Sequence, residues 1–191
     1  MSEGRTTLII PGWNGSEDTH WQSVWERKYP KFRRVEQREW RQPQRDDWTH
    51  TLTEAIASAE SPVVLVAHSL GCLAVACCIE TSPETARKID CALLVAPPDL
   101  SQPTAPEPLR RFAPVPRNQL PFRSQLIGSE NDPYMALNAA ERLAADWGSH
   151  FVNAGSVGHI NCASGFGDWP QGELYLERLI RREEPVSVSW V

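Results

Sequence analysis

Short apolar runs and longer segments with apolar residues three or four positions apart follow one another along the chain. A short apolar run between turn-forming residues is typical of a buried strand, and the longer spacing is typical of a helix with one apolar face. The predicted strands are Thr7–Ile10, Phe32–Gln37, Val63–Ala67, Cys91–Val95, Gln125–Gly128 and His150–Ala154. The predicted helices are Asp18–Tyr29, Asp47–Ala59, Leu70–Glu80, Tyr134–Trp147 and Gly172–Arg182.

Strands that alternate with helices predict an α/β fold, a three-layer sandwich in which helices cover both faces of a parallel sheet. The 191 residues suffice for one such domain and are too few for two, so a single domain over residues 1–191 is expected. In such folds the chemistry collects at the carboxyl ends of the strands. The active site is therefore expected just after Ile10, Ala67, Gly128 and Ala154.

One segment interrupts the alternation of strands and helices. Residues 97–121 contain eight of the sixteen prolines, which predicts an extended loop with at most a short helix. Loops of this length are usually either functional or disordered. Because this one leaves the sheet at the expected catalytic end, it is either a stiff surface connection or a cover over the active site.

Composition and charge narrow the classes of partner. The net charge of −5 gives no basic excess that would favour nucleic acid or an anionic membrane surface. No apolar run approaches the ~20 residues of a membrane span, and the three large apolar residues before Pro11 are too few for a secretory signal. The expected partner is therefore a small molecule, such as an acyl substrate, or another protein, although the sequence gives a protein partner no positive support.

The cysteines indicate a reducing compartment. There are five, an odd number, without CxxC spacing and mostly in segments predicted to be core, which favours free thiols and a cytoplasmic location. No His or Cys pair has the spacing of a zinc site. The loop after the first strand also lacks the residues of a phosphate-binding loop, so neither a metal nor a nucleotide cofactor is expected.

The run LVAHSLGC, residues 65–72, nearly matches the Gly-x-Ser-x-Gly of a nucleophile elbow, with Ala67 in place of the first glycine. In an elbow, Ser69 ends a strand, opens a helix and presents its hydroxyl beside the backbone amide of Leu70. Alanine is compatible with this turn because the position needs a small side chain but not a positive φ. The alternative is that Ser69 simply caps the helix that begins at Leu70.

A carboxylate and an imidazole follow the fifth and sixth predicted strands. Asp132 and His159 come after Ser69 in the order Ser, Asp, His that α/β-hydrolases use. In a catalytic triad, His159 would take the proton of Ser69, and Asp132 would fix the tautomer of the imidazole. The alternatives are that Asp132 caps a helix starting at Pro133 and that His159 is a polar loop residue. Asp168 is the next candidate for the carboxylate.

The loop after the first strand is expected to complete an oxyanion hole. With the amide of Leu70 as one donor, the second is the amide of Trp13, with that of Asn14 as the alternative. Trp13, Asn14 and His68 are also candidates for the substrate pocket. The side chain of His68 should point away from that of Ser69, because neighbouring side chains of a strand alternate.

Four stretches of the chain together resemble a known family. PGWNGSEDTHWQSVWE, LVAHSLG, GSENDPYM and WGSHFVNAGSVGHINCASGFGDWPQG are similar to the small α/β-hydrolases related to retinoblastoma-binding protein 9 and to bacterial YdeN, over about Leu8 to Leu179. The resemblance implies a minimal hydrolase fold, a six-stranded parallel sheet of order 2-1-3-4-5-6, and a triad on Ser69, Asp132 and His159. It also implies esterase-type activity on small substrates.

Two functions remain open at this point. The first is a serine hydrolase that cleaves a small ester, thioester or amide through an acyl-enzyme intermediate. The second is a protein- or ligand-binding module on a hydrolase scaffold with little turnover, because a fold does not fix its function.

Overall fold

The computed structural model describes residues 5–60 and 62–183, so residues 1–4, 61 and 184–191 of the predicted domain lie outside the described residues. Its strands are β1 Thr6–Ile10, β2 Phe32–Arg34, β3 Val63–His68, β4 Ile89–Val95, β5 Arg123–Gly128 and β6 His150–Asn153. Its α-helices are α1 Trp21–Lys28, α2 Arg45–Ser58, α3 Leu70–Thr81, α4 Leu137–Trp147 and α5 Pro170–Arg181. Short 3-10 helices cover Pro83–Lys88, Glu107–Phe112 and Cys162–Ser164.

The strands form one parallel sheet in the order β2-β1-β3-β4-β5-β6, which confirms the predicted fold. Helices α2, α3 and α4 pack on one face, where their apolar side chains share a core with alternate residues of the strands. Helices α1 and α5 cover the other face with a second core that is rich in tryptophan. Strand β3 is buried along its whole length, so the serine that follows it is positioned by strands on both sides.

Three predicted boundaries were wrong by three residues each, whereas the others lie within two residues of the structure. Strand β2 ends at Arg34 rather than Gln37, because the ladder closes with the Val35 amide donating to Ile9 and the chain then turns away from the sheet edge. Helix α1 begins at Trp21, after His20 has capped it. Helix α4 begins at Leu137 rather than Tyr134, because the residues before it form a turn of their own.

The proline-rich segment 97–121 is a loop with one short helix, as the sequence predicts. The 3-10 helix Glu107–Phe112 inserts Leu109 and Phe112 into the core beside α2 and α3. Burial of these two side chains ties the segment to the rest of the domain. It also brings Leu109 to the carboxyl end of the sheet, where the predicted active-site residues lie.

Gly71 allows helix α3 to approach the end of β1 very closely. A Cβ atom at this position would overlap the carbonyl oxygen of Ile10 and would lie 2.8 Å from that of Pro11. Both are backbone atoms, so a side chain at position 71 would push the helix away from the sheet. The second glycine of the elbow motif is therefore a packing requirement of the fold.

We expect Gly71→Ala to lower the free energy of unfolding by about 3 kcal/mol, the upper range for overpacking a closed site. Gly155→Ala is the control, because a Cβ there meets nothing within 4 Å although φ is +79°. The control should lose only the backbone cost of about 1 kcal/mol. Urea denaturation of both variants measures the difference, and equal losses would contradict the close approach described here.

Candidate active site

Ser69 occupies a strained turn between β3 and α3. Its backbone has φ 52° and ψ −124°, a conformation that residues with a side chain rarely adopt. Its amide donates to the carbonyl of Val95 at 2.9 Å, so the end of β4 holds the turn in place. The hydroxyl makes no capping hydrogen bond to α3, and Oγ lies 3.0 Å from Nε2 of His159 instead.

His159 links Ser69 to Asp132. Nδ1 of the imidazole lies 3.0 Å and 2.9 Å from the two carboxylate oxygens of Asp132, and both side chains are buried. A carboxylate only accepts, so Nδ1 carries the hydrogen and Nε2 is left to accept from the hydroxyl of Ser69. Asp132 does not cap α4; it accepts from the amide of Tyr134 at 2.9 Å. Asp168 is exposed and makes no hydrogen bond to His159.

The loops that carry Asp132 and His159 are bonded directly to each other. The side-chain oxygen of Asn131 accepts from the amide of Gly158 at 2.6 Å. The carboxylate of Glu130 accepts from Asn153 at 3.0 Å and from Ser156 at 2.9 Å. The loop after β5 and the loop after β6 are thus held as one unit, which fixes the distance between the carboxylate and the imidazole.

His68 supports the same imidazole from the other side. Its Nε2 lies 2.9 Å from the carbonyl oxygen of His159, and because a carbonyl only accepts, Nε2 is the donor. Burial, followed by the neighbouring His159 and His20, lowers the pKa of His68 well below its ordinary value. His68 is therefore a neutral donor that anchors the backbone of His159, and it makes no hydrogen bond to Ser69.

The loop after β1 closes against the serine as a tight turn. The amide of Gly15 donates to the carbonyl of Gly12 at 3.0 Å. A Cβ atom at Gly12 would lie 2.7 Å from the Cβ of Ser69, so glycine is needed for this contact. The turn places the backbone of Gly12 beside the serine side chain, because the same Cβ atom would lie 3.2 Å from Oγ of Ser69.

Two backbone amides near the serine remain free for a ligand. The amide of Asn14 donates to the carbonyl of Trp40 at 3.1 Å, so it is already used. The amides of Trp13 and Leu70 donate to no acceptor in the part of the chain that the structure describes. Of the two candidates in this loop, only Trp13 therefore has an amide available to a substrate oxygen.

The comparison with protein families matches residues 7–178 to the family described as Serine hydrolase. The chain belongs to this family. It is 34% identical to a YdeN-like hydrolase of Pectobacterium atrosepticum, over 93% of this chain and 89% of that one, with a TM-score of 0.78.

Two further solved structures share the fold of this serine hydrolase. The ydeN gene product of Bacillus subtilis is 20% identical over 94% of this chain and 100% of its own, with a TM-score of 0.74. Carboxylesterase CesB of the same organism is 12% identical over 94% of this chain and 84% of its own, with a TM-score of 0.59. A comparison with curated proteins found no match. Among the described helices of the hydrolase, none has the length and apolar character that crossing a bilayer requires.

A cavity of about 250 Å³ opens beside Ser69. The three pocket candidates of the sequence, Trp13, Asn14 and His68, all lie on its wall. Sequence reasoning did not identify the remaining side chains of the wall, which are those of Glu17, His20, Leu109, Tyr134 and Asn161. Most of these residues follow β1 or lie close in sequence to Asp132 and His159. Their nearness to the predicted strand ends is the feature of the sequence that could have identified them as pocket residues.

The ring of Tyr134 lies against the imidazole of His159, with ring centroids 4.6 Å apart in an edge-on arrangement. Its amide donates to Asp132, so the residue contacts both groups. Tyr134 is 38% exposed and forms the outer wall of the site. It thereby shields the buried carboxylate and imidazole from solvent.

Helix α3 carries thiols directly behind the serine. Cys72 is buried, its Sγ donates to the carbonyl of Val95 at 3.4 Å, and burial raises its pKa. Burial likewise raises the pKa of Cys77 to about 11. These thiols are protonated at neutral pH and pack as small apolar groups.

The pKa of His20 is lowered to about 4 by burial, with smaller contributions from the positive charge of Arg34 and from His159. The cavity of the hydrolase therefore contains two imidazoles, His20 and His68, that are neutral at physiological pH. A histidine that is neutral in the folded protein takes up a proton on unfolding once the pH falls below its ordinary value of about 6.5.

This uptake predicts a pH dependence of stability. The pKa of His20 is lower in the folded protein than in the unfolded chain, so protonation of His20 favours unfolding. The free energy of unfolding is therefore unaffected by His20 above about pH 6.5 and falls as the pH drops from there towards 4. His20→Asn keeps a helix cap and removes the imidazole. Between pH 7 and pH 5 we expect the variant to lose about 2 kcal/mol less free energy of unfolding than the wild type. Urea denaturation at both pH values tests this, and parallel losses would contradict it.

Proposed function

We propose that this serine hydrolase cleaves a small ester, thioester or amide through an acyl-enzyme formed on Ser69. The observation that carries the proposal is the continuous chain of contacts from Ser69 Oγ to Nε2 of His159, 3.0 Å, and from Nδ1 to Asp132, 2.9 Å. A serine hydroxyl is a weak nucleophile until a neighbouring base accepts its proton. In the proposal His159 is that base and Asp132 is the group that orients it.

In the acylation step, Oγ of Ser69 attacks the substrate carbonyl carbon while Nε2 of His159 takes the hydroxyl proton. The oxygen of the tetrahedral intermediate becomes negatively charged and accepts from the amides of Leu70 and Trp13. The bond to the leaving group then breaks, and His159 returns the proton to the departing alcohol, thiol or amine. Asp132 accepts from Nδ1 throughout and stabilises the imidazolium.

Water completes the cycle in the deacylation step. His159 takes a proton from a water molecule, whose oxygen attacks the acyl carbon bound to Ser69. The ester bond to Oγ breaks, the proton passes to Oγ, and a carboxylic acid leaves. Each proton that His159 accepts is returned in the same half-reaction, so the enzyme ends in its initial state.

The cavity supports a small substrate. Its volume of about 250 Å³ lies just below the ~300 to 1,000 Å³ typical of ligand pockets. Leu109 brings the segment 97–121 to the cavity wall, and we propose that this segment covers part of the bound substrate. The carboxylesterase with the same fold makes esters the first class to test. The five free cysteines support a reducing, cytoplasmic setting.

A fluorophosphonate probe should label the native protein at Ser69, because only an activated serine attacks phosphorus rapidly. Mass spectrometry of the digested protein locates the label. Ser69→Ala should abolish both labelling and turnover of short p-nitrophenyl esters. Labelling that persists in Ser69→Ala would exclude Ser69 as the nucleophile.

Asp132→Asn should reduce kcat on the same esters by roughly 10⁴-fold, because the amide no longer favours the productive tautomer of His159. Asp168→Asn is the matched control, since Asp168 is an exposed carboxylate with no hydrogen bond to His159. It should turn over esters at the wild-type rate. Full activity of Asp132→Asn would rule out its role as the orienting carboxylate.

A further inference from the structure

His20 is a buried polar residue of the cavity wall that the proposed reaction does not use. It caps helix α1 and is only 5% exposed. Its ring packs between those of Trp21 and His68, with centroids 5.3 Å and 4.9 Å away. These contacts fix the orientation of the ring beside the same cavity that contains Ser69.

The capping hydrogen bond determines which nitrogen of His20 carries the hydrogen. Nδ1 accepts from the backbone amide of Gln22 at 3.2 Å, so Nδ1 is unprotonated. The ring is neutral at physiological pH, because burial lowers its pKa to about 4. A neutral imidazole has one N–H group, which leaves Nε2 as a donor.

Nε2 of His20 has no acceptor in the described part of the chain. Two side-chain polar atoms of the described residues have neither a hydrogen-bond partner nor contact with solvent, and they are Thr7 Oγ1 and Trp25 Nε1. Nε2 of His20 is not among them, so it is reached by solvent even though its residue is almost wholly buried. The cavity beside Ser69 is the opening that this residue lines. A donor in such a position is normally satisfied by water or by a ligand.

We propose that Nε2–H of His20 donates a hydrogen bond to an acceptor oxygen of the substrate close to the scissile bond. His20 is then a specificity-determining residue that favours acyl or alkoxy groups carrying an ether, hydroxyl or keto oxygen over plain hydrocarbon groups. The inference rests on the proposed function and names the substrate class of that site. The carboxylate of Glu17 and the amide of Asn161 on the same wall add to its polar character.

Two pairs of matched esters test this preference. On the acyl side, p-nitrophenyl methoxyacetate and p-nitrophenyl butyrate differ only by an ether oxygen in place of a methylene. On the leaving-group side, methoxyethyl acetate and butyl acetate differ in the same way. The ratio of kcat/KM within each pair is measured for the wild type and each variant, so differences in intrinsic reactivity cancel.

Two variants of His20 separate the hydrogen bond from the helix cap. His20→Asn retains an oxygen that can accept from the amide of Gln22 and removes the donor at the Nε2 position. His20→Gln places an amide N–H near that position and removes the capping acceptor. A role limited to folding predicts the larger defect in His20→Gln, whereas the proposed role predicts the larger loss of preference in His20→Asn.

The expected result is that His20→Asn lowers the ether-to-methylene ratio about three- to tenfold in at least one pair, as for loss of one neutral hydrogen bond. His20→Gln should stay within about twofold of the wild-type ratio. Unchanged ratios in His20→Asn, or equal losses in both variants, would overturn the inference while leaving the serine hydrolase activity standing. Absence of any Ser69-dependent turnover would instead overturn the proposed function, and the inference with it.

Discussion

The backbone of Ser69 adopts a conformation that costs a residue with a side chain about 1 to 3 kcal/mol, and the rest of the site depends on keeping it there. Three separate contacts hold it. The end of β4 accepts its amide through Val95, helix α3 packs against the end of β1 at Gly71, and the β1 loop closes on the serine at Gly12. The central strands of the sheet must therefore all be in place before the hydroxyl is presented.

Hydrogen bonds join the ends of β3, β5 and β6 around the site. Hydrogen bonds of Glu130 and Asn131 join the loops after β5 and β6. His68, at the end of β3, donates to the backbone carbonyl of His159, so the strand that precedes Ser69 also anchors the histidine that lies beside it. In the proposed reaction, these hydrogen bonds hold His159 beside Ser69 before a substrate binds, as electrostatic preorganisation requires.

The periodicity of the sequence predicted the parallel sheet and the strand ends after which Ser69, Asp132 and His159 lie, because buried parallel strands and the loops after them have strong local signals. The order of the strands came from the family resemblance, because no local pattern specifies which strands are neighbours. Hydrogen bonds between distant parts of the chain have no such local signal. The amide of Trp13 was preferred over that of Asn14 and stays the prediction, but the carbonyl of Trp40, which occupies the Asn14 amide, is not visible in any local pattern. The start of α4 was misplaced because Asp132 binds the amide of Tyr134 in a turn. The place of His20 in the cavity wall was missed, because the cavity forms only when distant segments of the chain pack together.

Helix α3 places the intrinsically stronger nucleophile, the thiol of Cys72, three residues beyond the hydroxyl of Ser69. Burial keeps that thiol protonated and out of reach, whereas the strained turn brings the hydroxyl into the cavity. Accessibility to a ligand, rather than intrinsic nucleophilicity, therefore determines which of the two groups can react. A consequence concerns covalent inhibitors: electrophiles that prefer sulfur, such as maleimides, should spare this helix in the folded protein. Acylating and phosphonylating agents that enter the cavity instead meet the hydroxyl of Ser69, whose Oγ lies 3.0 Å from Nε2 of His159.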